Sequence, residues 1–146
     1  MVLKMTLNLN MDKPLKRKSW SYKDKIKECY GLDTETLKDG TIFLLSDSFG
    51  DWISGDNFND YLRFLTKKSH RGKIGYFYNL KFDLDAIFNL ANEEIKKNLC
   101  GNDWFKVGNF EVLNTNYKGL KIRTLDKRKY YKFFDIANFF PIYSLD

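Results

Sequence analysis

The stretch "YFYNLKFDLDAIF", Tyr76 to Phe88, changes its apolar period part-way along. With the preceding Lys73-Ile74-Gly75, its first residues make an aromatic, β-prone run, "KIGYFYN", that reads as a strand ending at Tyr78-Asn79. From about Phe82 to Lys97, Leu84, Ile87, Phe88, Ala91 and Ile95 recur at helical spacing, which predicts one helix. A strand running straight into a helix is the unit from which α/β folds are built. Two polar residues sit at the junction, and two readings of them stay open. In the first, Asn79 is a cap or turn residue and Asp83 a first-turn acid favoured by the helix dipole. In the second, both belong to a site.

Outward from this junction the same unit is supported on both sides. "ECYGLDT" and "TIFLLSDS" read as two strands joined through Asp39-Gly40, a hairpin turn signal. Asp56 or Asn57 is placed to cap a helix over "FNDYLRFLTKK", with Phe58, Leu62 and Leu65 on one face. Downstream, "NFEVLNTNYKGLKIRTLD" reads as a hairpin turning near Lys118-Gly119, and "KYYKFFDIANFFP" as a strand that breaks at Pro141. The expected order is β-β-α-β-α-β-β-β, an α/β mixed sheet flanked by helices with an additional β-hairpin. Residues 1–27 read as a basic N-terminal arm or added strand, and 28–146 as the domain.

Composition limits the function. At 146 residues, 43% hydrophobic and 17% aromatic, the chain suits one globular domain. "TIFLL" and "AIFNLA" are far shorter than the roughly 20 apolar residues of a membrane span, and the N-terminal region lacks the pattern of a signal peptide. Cys29 and Cys100 have no CxxC spacing, which argues against zinc and for a reducing, intracellular compartment. His70 is the single histidine, so histidine-based metal clusters and Ser-His catalysis are excluded. It lies in the basic string "KKSHRGK" and reads as solvated.

The net charge of +6 points to a polyanionic partner. Basic residues gather at 13–27, 67–73 and 118–132, the last group interleaved with aromatics in "YKGLKIRTLDKRKYYKFF". Lysine and arginine beside tyrosine and phenylalanine suit phosphate contact with base stacking. Trp20, Trp52 and Trp104 read as core or cover residues.

A second short stretch, "YGLDTET", holds two carboxylates, Asp33 and Glu35. On a strand, residues i and i+2 leave the same face, so the two acids project together and repel. A divalent cation removes that repulsion. Asp85, two residues beyond Asp83 on a helix, turns away from it and reads as solvated.

"DTET" and "YFYNLKFD" together resemble the first two exonuclease motifs of family B DNA polymerases, most closely the protein-primed branch. "FFDIANFFPIYSLD" resembles a third segment of that family, and the likeness covers about residues 29–146. The resemblance implies a ribonuclease H-like fold and 3′–5′ exonucleolysis, used in proofreading. By it, Asp33, Glu35 and Asp83 match the metal-binding carboxylates, and Thr36, Tyr78, Asn79 and Phe82 match positions that hold a single-stranded 3′ end. Where Tyr78 stands the family often has histidine. Hard oxygen donors imply Mg²⁺ or Mn²⁺ in a two-metal arrangement. The implied partners are single-stranded DNA or a DNA 3′ end, the remainder of a DNA polymerase, and a terminal priming protein; no membrane is implied.

The family's third exonuclease motif, Tyr-x-x-x-Asp on a helix, is matched as a string by "YKFFD", Tyr131 to Asp135, but within a strand-like run. We read that match as coincidental and expect the motif beyond Asp146, where the palm aspartates needed for polymerisation would also lie. The isolated chain is then expected to be a weak or inactive nuclease and unable to polymerise. Two alternatives stand beside this reading: a non-catalytic nucleic-acid-binding module of the same fold, and a stand-alone nuclease using Asp135 as a fourth carboxylate.

Overall fold

Three neighbouring strands at the centre of the sheet run parallel, and the remainder of the fold is arranged around them. The computed structural model describes residues 27–139. The elements are β1 (Cys29–Thr36), β2 (Ile42–Asp47), β3 (Trp52–Ser54), α1 (Phe58–Leu65), β4 (Ile74–Phe77), α2 (Leu80–Phe88), α3 (Glu93–Leu99), β5 (Phe105–Val107), β6 (Phe110–Thr115), β7 (Gly119–Thr124) and β8 (Tyr130–Asp135). Short 3₁₀ turns occupy Lys68–His70 and Ile136–Phe139. One eight-stranded sheet has the order β3-β2-β1-β4-β8-β7-β6-β5. β4 pairs in parallel with β1 on one side and with β8 on the other. Antiparallel pairs extend the sheet in both directions. The α/β mixed sheet flanked by helices is therefore present. The expected N-terminal arm lies outside the described residues, apart from Lys27.

Burial alternates along the strands and identifies the packed face. Tyr30, Leu32 and Thr34 of β1, Phe77 of β4, Tyr131 and Phe133 of β8, and Leu120 and Ile122 of β7 are buried. Against this face lie Phe58, Tyr61, Leu62, Phe64 and Leu65 of α1 and Leu80, Leu84, Ile87 and Phe88 of α2. Each such side chain contributes roughly 1.5–3 kcal/mol of burial. Gly75 sits where the sheet is tightest. A Cβ there would stand 2.8 Å from Phe133 Cδ1 and 2.9 Å from both Leu32 Cδ1 and Tyr30 Cζ. The Tyr30 ring uses the space that glycine leaves.

Local signals account for most element ends. Asn57 caps α1, its side chain accepting from the Asn59 N–H at 2.9 Å. Gly40, with φ of +86°, closes the β1–β2 turn at Asp39-Gly40 as expected. Three expectations need correction. The single helix over 82–97 is two helices, because Asn92 accepts from the Ile95 N–H at 2.9 Å and starts α3 afresh. The β6–β7 turn is centred on Asn116 and Tyr117, both with positive φ, two residues before Lys118-Gly119. β3 and β5 are additional strands, each three residues long and too short to show a period of two.

Candidate active site at the carboxyl edge of the parallel strands

In open α/β sheets, ligands bind outside the carboxyl ends of parallel strands. Here each of the three parallel strands delivers an acid to that edge. Pairing with β4 ends at Leu32↔Phe77, so Asp33, the next residue of β1, lies where its β4-side neighbour has ended. Asp83 follows β4 in the first turn of α2. Asp135 ends β8, level with Phe77.

The strand alternation places Asp33 and Glu35 on the same, exposed face, as their spacing predicts. Thr34, between them, points to the packed face, and its hydroxyl donates to Asp83 Oδ1. Asp83 is only 5% exposed. Burial pushes its pKa up to about 6; the Asp33 charge adds to the rise, and hydrogen bonds from Thr34 and Asn79 oppose it.

Among the described residues no group of three His, Cys, Asp or Glu side chains is arranged to hold a metal ion. Asp83 approaches from the helix side of the sheet, the side Thr34 faces, whereas Asp33 and Glu35 both project from the opposite face. The donor chemistry of Asp33, Glu35 and Asp83 suits a hard cation such as Mg²⁺ or Mn²⁺, and the Asp33 charge acts on Asp83.

The other matched positions divide by role. Asn79 is the N-cap of α2, its Oδ1 accepting from the Phe82 N–H at 3.4 Å, and its carbonyl accepts from the Asp83 N–H at 3.1 Å. Tyr78 is 81% exposed and Phe82 50%. The two residues flank Asn79 in the sequence. Thr36 is half-buried beyond a bulge at Glu35/Thr36, opposite Ile42.

Asp135 is engaged by backbone. Its Oδ2 accepts from the Leu80 N–H at 3.4 Å and its Oδ1 from the Ala137 N–H at 2.8 Å. It thus touches the first residue of the helix that carries Asp83, a proximity its string context concealed.

Comparison with family models, with curated proteins and with solved structures yields no match. What can be said of function rests on the residues themselves.

Several readings of individual residues are corrected. His70 is fully buried, not solvated. Its Nε2 meets Asp47 Oδ2 at 2.7 Å, its Nδ1 meets the Leu65 carbonyl at 3.1 Å, and its ring stacks on Tyr30 with centroids 4.4 Å apart. Burial lowers its pKa, against the upward pull of Asp47 and Leu65. Lys67 also pairs with Asp47, at 2.5 Å. This cluster lies at the amino end of β1, away from the acid edge. Asp85 forms an ion pair with Lys81 at 2.6 Å and is not simply solvated. Trp52 is 65% exposed on β3, neither core nor cover, while Trp104 lies under the Arg123 guanidinium at 3.7 Å. Trp20 falls outside the described residues. Among the described residues no helix is long and apolar enough to cross a membrane.

Proposed function

We propose that the chain is the 3′–5′ exonuclease (proofreading) portion of a protein-primed family B DNA polymerase, on a ribonuclease H-like sheet. Its substrate is a single-stranded DNA 3′ end, and its cofactor Mg²⁺ or Mn²⁺. The observation that carries this reading is the placement of Asp33 and Asp83 at the carboxyl edge of β1 and β4, where the Asp33 charge acts on Asp83. Asp33, Glu35 and Asp83 are the residues that would hold the cation, and exposed Tyr78 and Phe82 the surface for terminal bases. The cation supplies charge neutralisation when bound. The chain's own contribution is to orient Asp83 through Thr34 and to present two rings beside it. The remainder of a polymerase and a terminal priming protein are the proposed partners.

One observation favours a second reading, a non-catalytic nucleic-acid-binding module: Asp83 lies on the Thr34 side of the sheet, whereas Asp33 and Glu35 project from the other face. A 5′-labelled single strand incubated with Mn²⁺ separates the two. The exonuclease reading expects slow shortening from the 3′ end that Asp33→Ala abolishes, together with Mn²⁺ binding, read by electron spin resonance, that Asp83→Asn weakens. Binding of the strand with neither shortening nor Asp83-dependent Mn²⁺ binding establishes the module instead. A chain that binds no single strand at low salt sinks both.

A further inference from the structure

At the opposite, amino end of the same parallel strands, basic side chains gather with no acid among the described residues left to pair them. Lys121 of β7 stands directly opposite Lys132 of β8 in the antiparallel register. Like charges in that position destabilise a sheet. The same row continues through Ile74 to Cys29 on one side and to Leu113 on the other, so it contains no carboxylate. Beside it opens a groove of about 190 Å³ lined by Lys27, Gly72, Lys73, Tyr130 and Lys132.

The nearby acids are committed elsewhere. Glu28 pairs with Lys73 at 3.4 Å, and Glu111 with Arg123 at 2.6 Å. Asp126 accepts from the Thr124 hydroxyl at 2.5 Å and from the Arg128 N–H at 3.0 Å. Among the described residues Lys27, Lys121 and Lys132 have no ion-pair partner. Partial burial depresses the Lys132 pKa, and the charges of Lys27 and Lys121 depress it further. An arrangement that is unfavourable in the free protein becomes favourable when an anion enters. The groove is smaller than the ~300–1,000 Å³ of a typical small-molecule pocket, which suits a phosphate group. Tyr130, 37% exposed, adds a ring at the groove wall.

We infer that this lysine groove binds the phosphate backbone of a single-stranded nucleic acid, several residues upstream of the carboxyl edge. The nucleic-acid identity of the anion rests on the function proposed above; the phosphate site itself does not. Lys132 lies level with Ile74, and Ile74 with Cys29. Asp33 is four residues further along β1 on the face Cys29 shares. At ~3.3 Å per residue, groove and edge are about 13 Å apart along the strands. A strand held at both points would meet the lysines before it reaches the acids.

The test is fluorescence anisotropy of a labelled oligothymidylate with the full chain, in EDTA, across a salt series. Lys121→Met and Lys132→Met keep the apolar stem and remove the charge. Each is expected to weaken binding severalfold at low salt and to reduce the slope of log K against log [salt] by about 0.7. Neither is expected to lower the melting temperature, since each removes a like-charge contact. Lys27→Glu, at the exposed end of the groove, gives the same readout if a strand variant fails to fold. Folded variants with wild-type affinity and wild-type slope overturn the inference. If the wild type shortens strands from the 3′ end while these variants bind normally, the groove fails alone. If they lose binding in a chain that neither shortens strands nor binds Mn²⁺ through Asp83, the exonuclease reading fails alone and the groove stands.

Discussion

Replacing Asp83 by asparagine tests the electrostatics of the acid edge without altering its shape. Asp83 is buried, beside Asp33, and its carboxyl is pushed up from 3.8 to about 6, chiefly by burial. A raised carboxyl pKa means that the fold prefers the protonated form. The associated stability is fully present below pH 3.8, declines as pH rises through about 6, and is absent above it. That shift corresponds to roughly 2–3 kcal/mol between low and neutral pH. Asparagine keeps an oxygen for the Thr34 hydroxyl and carries no charge at any pH. In metal-free buffer, Asp83→Asn is therefore expected to stabilise the protein by roughly 2 kcal/mol at pH 8 and to change little at pH 4. Urea unfolding at the two pH values measures this directly, and at pH 8 the gain is several degrees in melting temperature. An asparagine variant less stable than wild type at both pH values refutes the reasoning: the Thr34 bond would then outweigh burial and Asp33, and the carboxylate would be comfortable where it lies. An exonuclease role adds the opposite sign for function, with Mn²⁺ binding falling in the variant that folds better.

Three further outcomes are expected. Gly75→Ala inserts a methyl between Phe133, Leu32 and Tyr30, and is expected to cost roughly 1–3 kcal/mol in denaturant unfolding; an unchanged midpoint shows that the Tyr30 ring moves aside. Asp47→Asn breaks a buried group shared with His70 and Lys67, for a loss of roughly 3 kcal/mol read as a lower melting temperature, with single-strand affinity in the folded fraction unaltered. Asp135→Asn keeps one backbone acceptor and is expected to cost roughly 1 kcal/mol with no effect on nuclease activity; a folded but silent variant makes Asp135 a working carboxylate and the stand-alone nuclease the better account.

Much of the fold was legible because its signals are local. The hairpin turn at Asp39-Gly40, a cap at Asp56 or Asn57 (Asn57 is the one that forms) and the apolar stripe of α1 each reside within a few residues, and each is present. The break between α2 and α3 was missed although its signal is also local. Asn92 followed by Glu93 and Glu94 is a helix start, but Ala91 and Ile95 keep helical spacing across it and mask the interruption. His70 failed for a different reason. Its neighbours in sequence are basic and exposed, while its partner Asp47 lies 23 residues away on a strand end facing the helices. No periodicity links the two.

The acid edge shows where residue spacing stops being informative. Spacing correctly placed Asp33 and Glu35 on one face of a strand, and correctly placed Asp83 in a first helical turn. Whether those acids meet depends on which face of the sheet the helix packs against, and the helix lies on the Thr34 side. The Asp33 charge reaches Asp83 where β4 ends at Phe77 and β1 runs on past that neighbour. Asp135 is the converse case. As a string it fits a helical motif in the wrong context, and nothing within "YKFFD" says that β8 pairs with β4 and not only with β7. Once that order is known, the parallel register sets Asp135 beside the start of the helix bearing Asp83. Strand order is a long-range property, and it decides which carboxylates become neighbours; the spacing within each motif decides only the direction in which each one points.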